Sequence, residues 1–414
     1  MRGARAFAVW SLVLALLAGL LPAAQAAPNP RQDSAAVWTV GTPTVKSVYP
    51  AGLIFRLRAR SSAGPITRAR LVWYRPMLRP GATRHIQVEE ATIDTARGDL
   101  VATWQPSGLL MLPPWSVLAY HWELRDAEGN TFETEPRIAE YADLSRPWIR
   151  TESDDAVVLS SDLPAAVHGL ILDALAAQRR RYEAVWGATL PYRPRIVLFG
   201  DYAAWLEWRT ADRTTSRTSF VVGQTFDAWG VIAQVLTGPP SDAAYRELAY
   251  SIVLHEMEHL YQAEFLSSRR RMDVPGWFTE GDATFFELEQ SYDYLRRVRG
   301  LAESGALPPL LVPLPDAPRV DGANPRLGYD IGYSFFAWLR ESTGSLDAHR
   351  SIMALLADDV PFFEALEQAL GLPTAEIESR WRVWLGASPA APTLVPTWTP
   401  PPFLPTPTPM LFGS

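Results

Sequence analysis

The sequence of 414 residues contains no cysteine, which excludes two ways of holding a protein together or anchoring it. No disulfide can stabilise the fold, and no N-terminal cysteine can carry a lipid anchor. Stability must therefore come from core burial, for which a hydrophobic content of 48% is ordinary, with any bound metal ion contributing further.

The sequence also lacks an excess of basic residues, because 45 acidic side chains outnumber 38 basic ones and give a formal net charge of -7. Nucleic-acid binding normally needs a basic face, so we expect no nucleic-acid partner. Two short arginine clusters, at residues 179–181 and 269–271, lie beside helical patterns. We interpret both as solvent-exposed helix faces.

Long apolar runs are absent after the N-terminus. The chain begins with Arg2 and Arg5, continues with a largely apolar run over residues 6–21, and then has small residues up to Ala26. This order is typical of a secretory signal peptide, here residues 1–26. An uncleaved membrane anchor is the alternative, since the run is near the lower length for a membrane span. Either way we expect a secreted or cell-surface protein, which is compatible with association with the cell envelope.

The remaining chain divides by pattern into three parts and predicts a multidomain protein. Residues 37–145 show short alternating apolar runs between turn residues, which favours an all-β sandwich of immunoglobulin or fibronectin-III type. Residues 147–386 alternate helices and strands and end in helices, which indicates an α+β domain with a helical C-terminal lobe. Residues 387–414 are rich in proline and predict an extended, flexible tail.

The residues that carry chemistry are His255, Glu256 and His259, in the order His-Glu-x-x-His within a helical pattern. Residues four apart on a helix lie one turn apart on one face, so both imidazoles can bind the same ion. Glu256 is about 100° around the helix from His255 and can reach a water molecule beside the ion. Apolar flanks predict a buried helix, where unpaired polar groups are costly. The pattern favours a catalytic zinc site.

A second segment, at residues 275–283, contains Trp277 and Glu280 in the pattern Trp-x-x-Glu-Gly-x-Ala. Here the chain resembles the gluzincin metallopeptidases, whose third zinc ligand is a Glu in this context. It is most similar to the peptidase-MA-like group, which is related to the alanyl aminopeptidase family. The resemblance covers roughly residues 244–286.

The resemblance implies a zincin-like metallopeptidase domain over residues 147–386. It implies Zn²⁺ held by His255, His259 and Glu280, with Glu256 as general base and a peptide or protein as substrate. A catalytic function is favoured because the three metal ligands and the general base are all present.

Residues 329–335 resemble the Tyr-x-x-Gly segment that opens a helix in that family. The resemblance implies that Tyr329 stabilises the oxyanion, with Tyr333 as the reserve candidate. From the residues alone, packing is the favoured interpretation of a tyrosine near a glycine-punctuated helix start, and only the resemblance favours the oxyanion role.

Two departures from the family pattern affect specificity and support of the ligands. Aminopeptidases of this relationship carry Gly-x-Met-Glu-Asn on an edge strand, but the nearest counterpart, residues 230–234, has no Glu. We therefore expect cleavage of internal bonds rather than removal of N-terminal residues. Thr284 occupies the position at which thermolysin-like relatives have an Asp that contacts a His ligand. We therefore expect Asp282 or Glu287 to be the polar partner of the histidine here. Glu258 is expected to be solvated or to support the site.

Two other functions share these residues. One is a catalytically silent zincin-fold module at the cell surface, in which the β-sandwich performs recognition. The other is a metal-dependent hydrolase of a non-peptide amide, which would need every residue that the peptidase needs.

Overall fold

The computed structural model describes residues 36–391, except residues 77–85, 107–111, 212–221, 291 and 322–323. The predicted signal peptide and most of the predicted Pro-rich tail lie outside the described residues. Within the described part of the chain, no helix combines the length and apolar character needed to cross a membrane.

The N-terminal part consists of antiparallel strands. They are β1 (Trp38–Val40), β2 (Thr44–Ser47), β3 (Leu53–Ser61), β4 (Ile66–Tyr74), β5 (Gln87–Glu90), β6 (Thr92–Asp94), β7 (Asp99–Trp104), β8 (Val117–Asp126), β9 (Thr131–Glu133) and β10 (Arg137–Glu140). One sheet has the order β1-β3-β7-β6, with β2 also pairing with β3, and the other has the order β10-β8-β4-β5, with β9 pairing with β8.

The two sheets share one hydrophobic core. In β3, Leu53, Phe55 and Leu57 are buried while Arg56 and Arg58 are exposed, because successive side chains of a strand point to opposite faces. The other sheet contributes, among others, the buried side chains of β8. The predicted antiparallel sandwich is therefore present, and its immunoglobulin or fibronectin-III type remains a prediction.

The second part begins with a mixed sheet. Its strands are β11 (Ile149–Glu152), β12 (Val157–Ser160), β13 (Arg195–Phe199), β14 (Gly223–Phe226) and β15 (Val231–Val235). The order is β11-β12-β13-β15-β14. The three central strands are parallel, and the two outer strands pair antiparallel with their neighbours. Every residue of β12 and of β15 is buried, as expected for strands covered on both faces.

Helices make up most of the C-terminal part, and two of them lie between strands of this sheet while the others follow it. They are α1 (Ala165–Trp186), α2 (Tyr202–Ala211), α3 (Asp242–Glu247), α4 (Val253–Phe265), α5 (Ser268–Asp273), α6 (Gly276–Phe285), α7 (Tyr294–Glu303), α8 (Arg326–Thr343), α9 (Asp347–Ala357), α10 (Phe362–Leu370) and α11 (Thr374–Trp384). The predicted α+β part with a helical C-terminal lobe is thus observed, whereas its zincin type remains a prediction.

The helix that carries the His-Glu-x-x-His motif is long. It starts at α3, where the Ser241 hydroxyl accepts a hydrogen bond of 3.2 Å from the Ala244 backbone N–H and so caps the helix. A π-helical segment, Leu248–Ile252, joins α3 to α4. A single wider turn of this kind shifts the faces of the helix that follows, here the one that bears the two histidines.

The arginine clusters are less exposed than the sequence indicated. Arg181 lies 4.1 Å from the ring centroid of Phe285 and donates a hydrogen bond to its carbonyl oxygen, and Arg270 is 4% exposed. The interpretation as solvated faces was wrong at these two positions, because a guanidinium can stack on an aromatic ring and bond to backbone carbonyls inside the protein.

Candidate metal centre

Two neighbouring helices bring three donor side chains together. His255 and His259 lie one turn apart on α4, with ring centroids 5.0 Å apart. Glu280 comes from α6, and its Oε2 lies 3.2 Å from His255 Nε2 and 3.3 Å from His259 Nε2. One donor atom of each residue lies within 4.8 Å of the others. The three predicted ligands therefore converge.

The chemistry of this cluster fits a cation. Burial by itself would lower the pKa of His255, but hydrogen bonds with Glu280 and Glu287 outweigh it and raise that pKa to about 10. Burial would likewise raise the pKa of Glu280, but His259 and His255 hold it well below its usual range. The carboxylates thus favour positive charge where the imidazoles meet. Two imidazole nitrogens and one carboxylate oxygen are a known donor set for catalytic zinc.

Glycines at the crossing of α6 and α8 set the position of Glu280. A Cβ on Gly281 would lie 2.3 Å from the Gly332 Cα, and a Cβ on Gly332 would lie 2.0 Å from the carbonyl oxygen of Trp277. The two backbones therefore touch directly. This contact explains why the motif with Glu280 contains Gly281 and why the motif with Tyr329 contains Gly332.

An open pocket of about 430 Å³ lies in front of the cluster. Glu256 lines it beside the three donors but is not one of the clustered residues. Its Oε2 accepts a hydrogen bond from the Thr225 hydroxyl. The pocket is also lined by Gly223, Gln224 and Thr225 of β14 and by Asp227, which follows the strand and pairs with Arg271.

The strand that lines this pocket is β14, and not the strand that contains residues 230–234, the counterpart of the aminopeptidase segment. Residues 230–234 fall almost entirely on β15, which lies between β13 and β14 and is not an edge strand. The outer strand is β14, whose sequence is Gly-Gln-Thr-Phe. The expected placement was wrong because pairing order within a sheet depends on the fold and is not encoded in the short sequence of either strand.

Only one of the two candidate tyrosines lines the pocket. The ring centroid of Tyr329 lies 5.9 Å from that of His255, in the first turns of α8. Tyr333, one turn further on, packs with centroids 5.0 Å from Tyr294 and 6.4 Å from Phe285. Tyr329 is thus placed near the donors, whereas Tyr333 packs against other aromatic rings.

Both imidazoles have polar neighbours on the side away from Glu280. His255 Nδ1 lies 3.5 Å from Glu287, one of the two candidates named from the sequence. The other, Asp282, does not contact a histidine ligand directly. Its Oδ2 instead accepts from the Gln262 amide, whose Oε1 lies 3.0 Å from His259 Nδ1.

Sequence reasoning missed Thr225 and Gln262. Gln262 could have been found from its spacing, because it lies three positions after His259 on the same helix face. Thr225 had no such signal, since it is remote in sequence.

Glu258 is fully buried and accepts a hydrogen bond of 2.8 Å from the Trp186 indole, so the solvated alternative for it was wrong. The reason is that α1 covers this face of α4.

Comparisons with known proteins give structural similarity only. No protein-family model matches the sequence, and a search of curated proteins gives no match. The structure is similar to that of an M1 zinc metallopeptidase from Deinococcus radiodurans, at a TM-score of 0.36 and 16% identity, over 83% of this chain and 91% of that chain. A mutant of that protein bound to a Tyr-Ser-Ala substrate is similar at a TM-score of 0.37 and 15% identity, over 82% and 90%. At this degree of similarity, function has to be inferred from the residues of the site.

Proposed function

We propose that the protein is an exported, zinc-dependent metallopeptidase that hydrolyses internal peptide bonds. The observation that carries this proposal is the convergence of His255, His259 and Glu280 next to Glu256 in one open pocket. Three protein donors leave a position free on a tetrahedral ion, which is the arrangement of catalytic rather than structural zinc.

A zinc ion held by the two histidines and Glu280 would supply Lewis acidity toward a carbonyl oxygen and would lower the pKa of a water molecule. Glu256 would accept the proton of the attacking water and then donate it to the leaving amine. The Thr225 hydroxyl holds the Glu256 carboxylate in one orientation. Tyr329 can donate its hydroxyl proton in a hydrogen bond to the developing oxyanion.

The preference for internal bonds rests on the outer strand. Within β14 no carboxylate faces a substrate amino group, since its residues are Gly223, Gln224, Thr225 and Phe226. Asp227 lies just beyond the strand, but its charge is paired with Arg271. A free amino terminus therefore has no dedicated anionic partner along β14.

The roles of the two carboxylates can be separated by matched substitutions. Glu256→Gln should keep bound zinc near one equivalent and lower turnover of a peptide-library substrate by about 10²-fold or more, because the amide cannot take a proton. Glu280→Gln should lower zinc content itself, because a neutral group replaces an anionic ligand. Metal analysis and turnover are measured on the same samples. Zinc loss in Glu256→Gln with zinc retained in Glu280→Gln would reverse our assignment.

Specificity is tested by blocking the substrate. Acetylation of the amino terminus of a good peptide substrate should leave the cleavage rate nearly unchanged, because the scissile bond is internal. Mass spectrometry of the products identifies the bond. A large loss of rate after acetylation would show that the protein is an aminopeptidase.

A further inference from the structure

Gln262 connects the two helices that supply the donors of the candidate metal centre. It lies on α4 three residues after His259 and is 4% exposed. Its side-chain amide nitrogen donates to the carbonyl oxygen of Thr279 at 2.9 Å and to Asp282 Oδ2 at 3.0 Å, and both acceptors belong to α6. Its Oε1 lies 3.0 Å from His259 Nδ1.

These contacts determine which way the amide points. A backbone carbonyl can only accept hydrogen bonds, so the Gln262 nitrogen must face Thr279 and the oxygen must face His259. An amide oxygen can only accept, so His259 Nδ1 must carry the hydrogen. In the neutral ring Nε2 then holds the lone pair, and Nε2 is the atom that lies 3.3 Å from Glu280.

We propose that Gln262 is a positioning residue that holds His259 in the Nδ1–H form and in the ring orientation needed to bind zinc through Nε2. This inference rests on the proposed zinc function.

The anchor of the amide lies in the same helical turn as the third ligand. Thr279 precedes Glu280 and Asp282 follows it by two positions, so the turn of α6 that presents the carboxylate also orients the amide behind His259. Gln262 thereby fixes the position of the ligands on α4 relative to the ligand on α6. Asp282 Oδ1 lies 2.9 Å from His349 Nε2 on α9, which extends the polar contacts into the helical lobe.

The two histidines are supported unequally. The Gln262 Oε1–His259 Nδ1 contact is 3.0 Å, whereas the Glu287 Oε1–His255 Nδ1 contact is 3.5 Å, and that Glu287 oxygen also accepts a hydrogen bond of 3.1 Å from the Tyr294 hydroxyl. A shorter contact to an oxygen that makes no second hydrogen bond among the described residues restrains the ring more firmly. Loss of Gln262 should therefore affect the metal centre through His259.

The test is Gln262→Met, which keeps the length of the side chain and removes both its donor and its acceptor. Zinc affinity, measured by competition with a chelator of known affinity, should weaken about 10- to 100-fold. The absorption spectrum of the Co²⁺-loaded variant should also change, because the ring of one ligand is no longer held. In Gln262→Asn the side chain is too short to reach these partners, so zinc affinity should fall as well. This variant replaces Gln262→Met in the test if Gln262→Met does not fold.

The matched control is Gln178→Met. Gln178 is also a buried glutamine, 2% exposed, and donates to the carbonyl oxygen of Phe286, but it contacts none of the proposed ligands. It should lose stability in a thermal melt while binding zinc and Co²⁺ as the unmodified protein does. Equal zinc affinity of the Gln262 variants and the unmodified protein would overturn the inference, and so would an equal loss in the Gln178 variant. Failure of the unmodified protein itself to bind zinc would instead refute the proposed function.

Discussion

Side chains outside the sequence motifs hold the motif residues in place. Thr225 bonds to Glu256, Gln262 faces His259, and Glu287 faces His255. Each contact restrains a group whose reactive atom points into the pocket, and enzymes need such support because a small displacement of a reacting group greatly reduces the rate.

Tyr329 and Tyr333 form a natural pair for testing oxyanion stabilisation. Tyr329→Phe should lower kcat by about 10²-fold with little change in KM, because the lost hydrogen bond forms only as the oxyanion develops. Tyr333→Phe removes the same hydroxyl from a ring that packs against Tyr294 and Phe285, and its kcat should stay within a few fold. Steady-state kinetics on one substrate compare them. A larger loss of kcat in the Tyr333 variant would move the role to that residue.

At the scale of elements, the site depends on how closely α6 and α8 approach. The helix that carries Glu280 and the helix that carries Tyr329 meet backbone to backbone at Gly281 and Gly332. Close approach of this kind needs residues without a Cβ at the crossing. The glycines therefore set the distance between a proposed ligand and the proposed oxyanion donor.

Gly332→Ala should separate these helices. The added methyl would lie 2.0 Å from the Trp277 carbonyl oxygen, so we expect a loss of about 3 kcal/mol or more in the free energy of unfolding. Gly300→Ala on α7 is the control, because nothing lies within 4 Å of its added Cβ. It should gain about 0.5–1 kcal/mol from helix propensity. Urea unfolding measures both, and a neutral Gly332→Ala would contradict the close crossing.

At the scale of the whole molecule, the candidate metal centre links helices that the main core also joins. One hydrophobic core includes residues of α1, α4, α6, α8, α9, α10 and α11. An ion bound between α4 and α6 adds a further link between them, and binding to the native state alone stabilises it.

Removal of zinc should therefore destabilise the second part of the protein. At free zinc 100 times above Kd the expected stabilisation is about 2.7 kcal/mol, so a chelator should lower Tm measurably. His259→Ala should already have the lower Tm and should not respond to the chelator. Calorimetry with and without chelator measures the shift. An unchanged Tm in the unmodified protein would argue against a bound ion.

Local spacing and patterning were sufficient for several features. Helical geometry places residues 255 and 259 on one face whatever surrounds them. Alternation in β3 indicated the face that became buried. These predictions succeeded because each depends on contacts between residues close in sequence.

A helix boundary shows where such local reasoning ends. Residues 277–301 have apolar side chains at helical spacing, which would suit one helix, but α6 stops at Phe285 and α7 starts at Tyr294. The Asp293 side chain accepts a hydrogen bond of 3.0 Å from the Arg296 backbone N–H and begins the second helix. Glu287, in the intervening segment, thereby comes to face His255 instead of continuing the helix.

By itself, the sequence determined the identity of the proposed donors and the helix that presents two of them, because motif chemistry and helix periodicity are local. Only the tertiary structure decided that β14 rather than β15 lies along the pocket, that Thr225 reaches Glu256, and that Arg181 is stacked inside. Each of these depends on which distant segments pack together. The packing of distant segments minimises the free energy of the whole chain, so it cannot be predicted from any short segment alone.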